Sequence, residues 1–443
     1  MNIQLSDHFN YRKLFRFTLP SIVMMIFTSI YGVVDGFFIS NFAGKTEFAA
    51  VNFIMPVIMI IGGIGFMIGT GGSAIVARTL GEGNREKANE YFTMMVCVTI
   101  VAGLVLAVLG QIFIRPATYA LGAQGQMAEY CILYSRISFL SIMQFMLQNV
   151  FQSFFVTAEK PQLGLAVIIT AGVTNMVLDY VFVGVLHWGV AGAAAATAVS
   201  ETIGAVIPLI YFASKNSSIL RLTRFRLQGR ILLKACTNGS SELMTNISTS
   251  LVNMLYNLQL MRIAGEDGVA AYGVIMYVNF VFIAVFLGYS IGSAPVVGFH
   301  FGADNHDELK NLLRRSLFII AIFGISMLVL AETCADPLTR FFVGYNAGLQ
   351  AMTVHGFRIY CLAFLVNGFN IYGSAFFTAL NNGAVSAAIS FLRTLLFQTA
   401  ALFILPVLFG LNGIWMAVIA AELAALCVTV TFIIKMKEKY HYL

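Results

Sequence analysis

Twelve stretches of this chain are apolar over membrane-spanning lengths, near residues 14–40, 51–77, 91–114, 129–157, 162–186, 189–213, 235–263, 269–299, 312–334, 352–380, 384–409 and 411–434. A helix needs roughly 20 such residues to cross the hydrocarbon core of a bilayer. The longest stretches exceed that by a turn or two, which points to tilt or to extension into the interface. The chain is 59% hydrophobic and 10% charged, with a mean hydropathy of +0.85. Soluble domains carry about 25% charged residues, so a water-soluble core is excluded. The sequence predicts an all-α integral membrane protein.

The twelve stretches form two copies of one unit. At an offset of 221 residues Ala43-Gly44 matches Ala264-Gly265, Gly71 matches Gly292, Gly81 matches Gly302 and Asn84 matches Asn305. Pro116 matches Pro337, Gly189 matches Gly410, Gly192 matches Gly413 and Glu201 matches Glu422. Six spans per copy give both halves the same topology, related by an axis roughly along the membrane normal. Two fused, equivalent bundles meeting at a central cleft are how many secondary transporters are built.

Basic residues set the expected orientation. Nineteen Lys and Arg fall on one side of the spans and only Lys45, Arg115, Arg262 and Arg340 on the other. That asymmetry places both termini in the cytoplasm and the chain in the cytoplasmic membrane. The expected organisation is a six-helix bundle over 1–213, a cytoplasmic linker over 214–234, a second bundle over 235–434 and a tail over 435–443. The linker carries six basic residues and no acidic one. A positive-inside connection explains them better than a lipid or nucleic-acid site. The first span is too long for a signal-peptide core and reads as a retained helix.

Scattered cysteines without a C-x-x-C or His/Cys cluster support neither a disulfide framework nor a zinc site. No His-Glu-x-x-His, nucleophile elbow or Gly-x-Gly-Asp motif lies within a span, so the chain does not read as an enzyme. No cofactor is expected. The glycines crowding the second span (Gly62, Gly63, Gly65, Gly69, Gly71, Gly72) lack the Lys-Ser/Thr of a phosphate loop. Close helix packing is the better reading.

Charges inside a membrane are costly unless paired or wet, which makes them functional candidates. The first half holds Asp35, Arg136, Asp179 and Glu201; the second holds Glu242, Arg358, Arg393 and Glu422. Asp35, Asp179 and Thr197 all fall roughly 8–12 Å below the outer surface at 1.5 Å per residue. Asn175 lies one turn from Asp179 on the same face. Two carboxylates, an amide and a hydroxyl at one depth make a cation site. Close carboxylates in low dielectric cannot both ionise cheaply, so they can exchange a proton; the same oxygens also suit Na⁺ at Asp35 and Asp179. At the repeat offset Asp35 falls on Tyr256 and Asp179 near Ala400, so the site belongs to the first half alone. Glu201, Glu242, Arg393 and Glu422 are secondary candidates. Arg393 is placed to neutralise Glu422, while Arg136 and Arg358 lie near the outer interface, where snorkelling accounts for them. Pro20 in span 1 and Pro295 in span 8 should kink or loosen their helices. Met143, Phe145, Met146, Phe151, Phe154 and Phe155 in span 4 are candidates for lining a greasy cavity.

The chain resembles the multidrug and toxic compound extrusion (MATE) transporters of bacterial type. The resemblance rests on Pro20 with Asp35 fifteen residues later, the Gly71-Gly-Ser-Ala run ending in Gly81-Glu-Gly-Asn, and Asn175/Asp179 with Thr197 downstream. It implies two bundles forming a V and export of amphipathic, often cationic small molecules, driven by an H⁺ or Na⁺ gradient. It also implies that Asp35, Asn175, Asp179 and Thr197 hold the coupling cation, that Pro20 is the point of bending, and that one chain makes the pathway. Some relatives use a carboxylate deeper in span 7, which Glu242 does not clearly match. The alternative is a flippase for lipid-linked precursors, which three intramembrane arginines, two of them peripheral, argue against.

Overall fold

The computed structural model describes residues 3–442. Among the described residues there is no strand. The first half contains α1 (Tyr11–Phe38), α2 (Lys45–Gly81), α3 (Arg85–Ala120), α4 (Gly125–Thr157), α5 (Pro161–Asp179) and α6 (Gly189–Ala213). The second contains α7 (Gly229–Gly302), α8 (His306–Val343), α9 (Ala347–Tyr360), α10 (Phe364–Ala379), α11 (Gly383–Phe391), α12 (Gln398–Phe409) and α13 (Leu411–Tyr440). Short irregular turns join α9 to α10 and α11 to α12, so each pair is one span. Asparagines start several helices: the side chains of Asn10, Asn84, Asn305 and Asn382 each accept an N–H of the first turn, which satisfies donors that would otherwise be orphaned.

The 74 residues of α7 would stretch about 110 Å at 1.5 Å per residue, far beyond a bilayer. The chain reverses at Gly265, with φ 64°, and α7 therefore crosses twice. Its repeat mate Gly44, at φ 132°, makes the same reversal between α1 and α2. Both positions need backbone angles that side chains other than glycine rarely adopt. Counting α7 as two and bent α4 as one gives twelve spans, arranged as two six-helix bundles.

Three local features differ from expectation. The helix α7 begins at Gly229, inside the stretch read as linker, and α13 carries on to Tyr440, into the stretch read as tail. α1 and α7 keep helical backbone angles through Pro20 and Pro295, and α4 is bent by 55° between Leu140 and Ile142. No proline is there. The Ser141 hydroxyl donates to the Ser138 carbonyl (3.2 Å), and such side-chain competition with the helix ladder is a recognised cause of bending.

The two halves meet backbone to backbone near the face that carries both termini and most of the basic residues. A Cβ on Gly81 would collide with the Phe299 carbonyl oxygen, and one on Gly302 with the Arg78 carbonyl oxygen. These are one contact seen twice, because both pairs of residues are mates at the 221 offset. Further along, Gly71 lies against Ala235 and Gly239, and its mate Gly292 against Thr18. Among the described residues, the last inter-half hydrogen bond toward the opposite face runs from Ser29 Oγ to the Phe280 carbonyl (3.3 Å). Beyond it Phe280 is 50% and Met254 61% exposed, and the halves splay into a V.

The segment before α1 straps the basic face. Leu5 N–H donates to Glu159 Oε1 (2.7 Å) in the α4–α5 turn of the first half. Phe9 N–H donates to Glu308 Oε1 (2.9 Å) at the start of α8 in the second, and His8 Nδ1 meets Glu308 Oε2 at 2.6 Å. Leu5 and Phe9 are fully buried. Burial raises the Glu159 carboxyl above the usual range, although the Leu5 amide works against this. A cavity of about 220 Å³ beneath the strap is lined by Arg16, Pro20, Glu159 and Lys160, far along α1 from Asp35.

Gly302→Ala should push the halves apart and cost about 1–3 kcal/mol, the usual penalty of overpacking, read as a lower thermal midpoint in detergent. Gly273→Ala, where a Cβ meets open space, should be neutral or stabilise by up to about 1 kcal/mol. Equal responses of the two variants would contradict this account of the interface.

Candidate functional site: a carboxylate pair in the first half

Both aspartates sit beside irregular helix. Four residues after Asp35, α1 widens into a π-helical turn over Ile39–Ala43, and the Ile39 N–H is shared between the carbonyls of Asp35 and Gly36. Asp179 is the last residue of α5 before a second π-helical turn, Tyr180–Val185. The two turns pack against each other. Such turns add a residue to the helix circuit and recur at functional sites; here they bring the outer ends of α1 and α5 together.

The Asp35 and Asp179 carboxyls face each other within hydrogen-bonding reach. Asp179 is fully buried, Asn175 is 2% exposed and Asp35 is half-buried. Asn175 Nδ2 donates to Thr197 Oγ1 on α6 (3.4 Å), which leaves the Asn175 carbonyl oxygen free. That oxygen, Asp35 Oδ1 and both oxygens of Asp179 are buried without a protein hydrogen-bond donor. Buried acceptors are nearly always satisfied, and two carboxylates this close repel unless a proton or cation joins them. The donor set is all oxygen, as hard cations prefer. Among the described residues no group of three His, Cys, Asp or Glu is arranged as a metal centre, so the site fits a proton or a weakly charged ion better than a tightly held divalent metal.

Four neighbours escape the sequence reading. Tyr31 lies one turn before Asp35 and is within electrostatic reach of Asp35 and Glu201, with Gln148 beside it. Tyr134 is buried within reach of all three acids. Ser141, at the bend of α4, stands beside the Glu201 carboxyl. Only Tyr31 carried a usable signal, its i, i+4 spacing from Asp35.

The second half is wired differently. Glu422 is 1% exposed and accepts from Arg393 Nε (2.8 Å) and Asn370 Nδ2 (2.7 Å). Thr429 Oγ1 in turn donates to Asn370 Oδ1 (2.9 Å). Glu242, half-buried on α7, has Arg393 as its opposite charge. None of these groups joins the aspartate pair. Arg358 lies 3.6 Å from Glu332 with both side chains well exposed. The apolar residues of span 4 also part from expectation: Met146, Phe151, Phe154 and Phe155 are all at most 2% exposed. Phe145 and Met143 fill the space over Gly62 and Gly103. Met146, Phe151, Phe154 and Phe155 are core filling, whereas Met143 and Phe145 are partly exposed.

The pattern of the MatE family matches residues 20–181 and again 243–404, which together span most of the chain. The protein belongs to the MatE family. Both repeats seen in the sequence are thus copies of the MatE unit. The multidrug export protein MepA of Staphylococcus saprophyticus subsp. saprophyticus is 22% identical over 419 residues, covering 94% of this chain and 92% of its own length. The fold is close to that of a MATE crystallised with MaL6, with a TM-score of 0.92, 22% identity and coverage of 97% of this chain and 98% of that one. An outward-facing conformation of a multidrug resistance MATE family transporter gives a TM-score of 0.90, 23% identity and 99% coverage of both chains.

Arg393→Met would strand the Glu422 charge and should destabilise the protein by about 3–5 kcal/mol. Combining it with Glu422→Leu should recover most of that loss in a thermal melt. A double variant as unstable as the single would show that the pair is not the unit holding this region.

Proposed function

We propose that this protein is a cation-coupled antiporter that exports amphipathic, often cationic small molecules across the cytoplasmic membrane, working as a single chain. The observation that carries the reading is the Asp35–Asp179 pair, with four buried oxygens lacking a donor, inside one half of a two-bundle membrane protein. Membership of the MatE family and the likeness to a multidrug export protein support the substrate class. The coupling ion is H⁺ or Na⁺, and both are cargo, not resident cofactors. The basic face is read as cytoplasmic, so the splayed cleft opens outward.

Coupling follows from where α1 lies. Its first turns, Leu14 to Ile22, pack in the core of the second half beside Val285, Tyr289 and Ile320, whereas Asp35 faces α5 of the first. A cation arriving at Asp35 and Asp179 removes their repulsion and tightens the outer ends of α1 and α5. Pro20 leaves the Arg16 carbonyl without its helical donor, which gives α1 a place to flex between its two attachments. Cation binding then favours one packing of α1 and substrate binding the other. Only this difference in affinity between the two states couples the fluxes. A cationic cavity for pyrophosphate, which a lipid flippase would use, has no support, because Arg393 is engaged by Glu422 and Arg358 and Arg136 are exposed.

The test is efflux of a fluorescent organic cation from proteoliposomes under an imposed pH or Na⁺ gradient. Wild type should respond to one gradient, and Asp35→Asn should lower that response roughly 5–150-fold, the range of one coupling free energy. An undiminished gradient response in Asp35→Asn would remove the aspartate pair from the mechanism. No response of the wild type to either gradient would reject antiport.

A further inference from the structure

The repeat sets a control beside the acidic site. Glu201 and Glu422 occupy equivalent places on α6 and α13, and each faces the interior of its half. Glu422 is neutralised by Arg393 and held by Asn370. The stretch equivalent to Arg393 in the first half is Ala171-Gly172, where Gly172 is covered by the rings of Phe27 and Tyr31. No arginine is possible in that space. Among the described residues Glu201 has no Lys, Arg or His within ion-pairing distance, and neither has Asp35 or Asp179. One glutamate of the symmetric pair has a fixed counter-charge and the other has none.

Glu201 also belongs spatially to the aspartate site. It follows Thr197 by one helical turn, so the two side chains project from one face of α6. It is half-buried and lies within electrostatic reach of Asp35. The groups facing it are Ser141 and Tyr134 from α4 and Tyr31 and Asp35 from α1. Asp179 closes the site from α5, while Tyr180 on the following turn is 57% exposed. The three carboxylates do not close round a single ion as a metal cluster would. Fully buried Asp179, with both oxygens lacking a donor, marks a ligand position at the aspartate pair; Glu201 stands apart from it as a second.

We infer that Glu201 is a second cation-coupling position, so that the first half takes up two monovalent cations per cycle, one between Asp35 and Asp179 and one on Glu201. The inference rests on the antiport reading for its place in a cycle, but the binding count stands without transport. Two positions fit the charge balance: three carboxylates sharing two cations retain one negative charge, spread over a site with tyrosine hydroxyls within reach. Filling only the aspartate pair leaves Glu201 charged and uncompensated in the membrane interior, which is costly. A coupled pair of sites also titrates in two steps, not one.

The decisive measurement is the number of H⁺ or Na⁺ bound by purified protein in detergent, counted by proton release and by ²²Na⁺ equilibrium binding, for wild type, Glu201→Gln and Asp35→Asn. Wild type should bind two, and Glu201→Gln one. A wild type that binds one cation, or a Glu201→Gln that binds as many as wild type, overturns the inference. Glu201→Asp, which keeps the charge on a shorter stem, should restore the second cation and so separates lost binding from lost folding. In proteoliposomes the reversal potential should shift from two cations per substrate to one in Glu201→Gln. Binding of two cations without any gradient-driven transport would leave the second position in place and reject the antiport reading instead.

Discussion

The architecture turns on backbone resting against backbone where the halves meet, Gly81 on the carbonyl of Phe299 and Gly302 on the carbonyl of Arg78. In a bilayer the hydrophobic effect does not drive helices together, and close approach through small residues takes over that role. Because the contact exists twice, related by the repeat, it fixes the pseudo-twofold axis at one face. Everything toward the other face is then free to splay. The cleft and the position of α1 between two cores follow from closing the bundle toward that face.

A symmetric scaffold carries an asymmetric distribution of charge. The second half neutralises its buried Glu422 with Arg393 and holds it with the Asn370 amide. The first half gathers Asp35, Asp179 and Glu201 without a basic residue and leaves several oxygens without donors. Duplication thus sets a neutralised glutamate on one side and an acidic site without a counter-charge on the other. α1 bridges them, with Leu14 to Ile22 in the core of the second half and Asp35 in the first.

Much of this was legible because membrane physics is written in length and composition. The twelve spans, the duplication and the glycines at the interface come from counting apolar residues and matching the two copies. The common depth of Asp35, Asp179 and Thr197 comes from helical rise alone. What escaped depends on contacts that no periodicity records. The π-helical turns after Asp35 and Asp179 leave the apolar pattern unchanged, yet they pack against each other right beside the two carboxyls. The bend of α4 falls beside a serine hydroxyl that donates into its own helix, and the aromatic residues below it fill a core because α3, α5 and α6 pack around them. Pro20 lies inside α1 with helical residues on both sides, and the flexing expected of it is a property of two states that one conformation does not display.

The strap before α1 holds the two halves through the amides of Leu5 and Phe9, donors that every residue except proline possesses. Its grip on Glu159 and Glu308 therefore depends on the number of residues between the anchor points as well as on the buried side chains of Leu5 and Phe9 and the ring of His8. Residue-by-residue comparison of relatives records only the second of these requirements. The first would show instead as intolerance of insertion or deletion between Leu5 and Phe9, even where every side chain is kept.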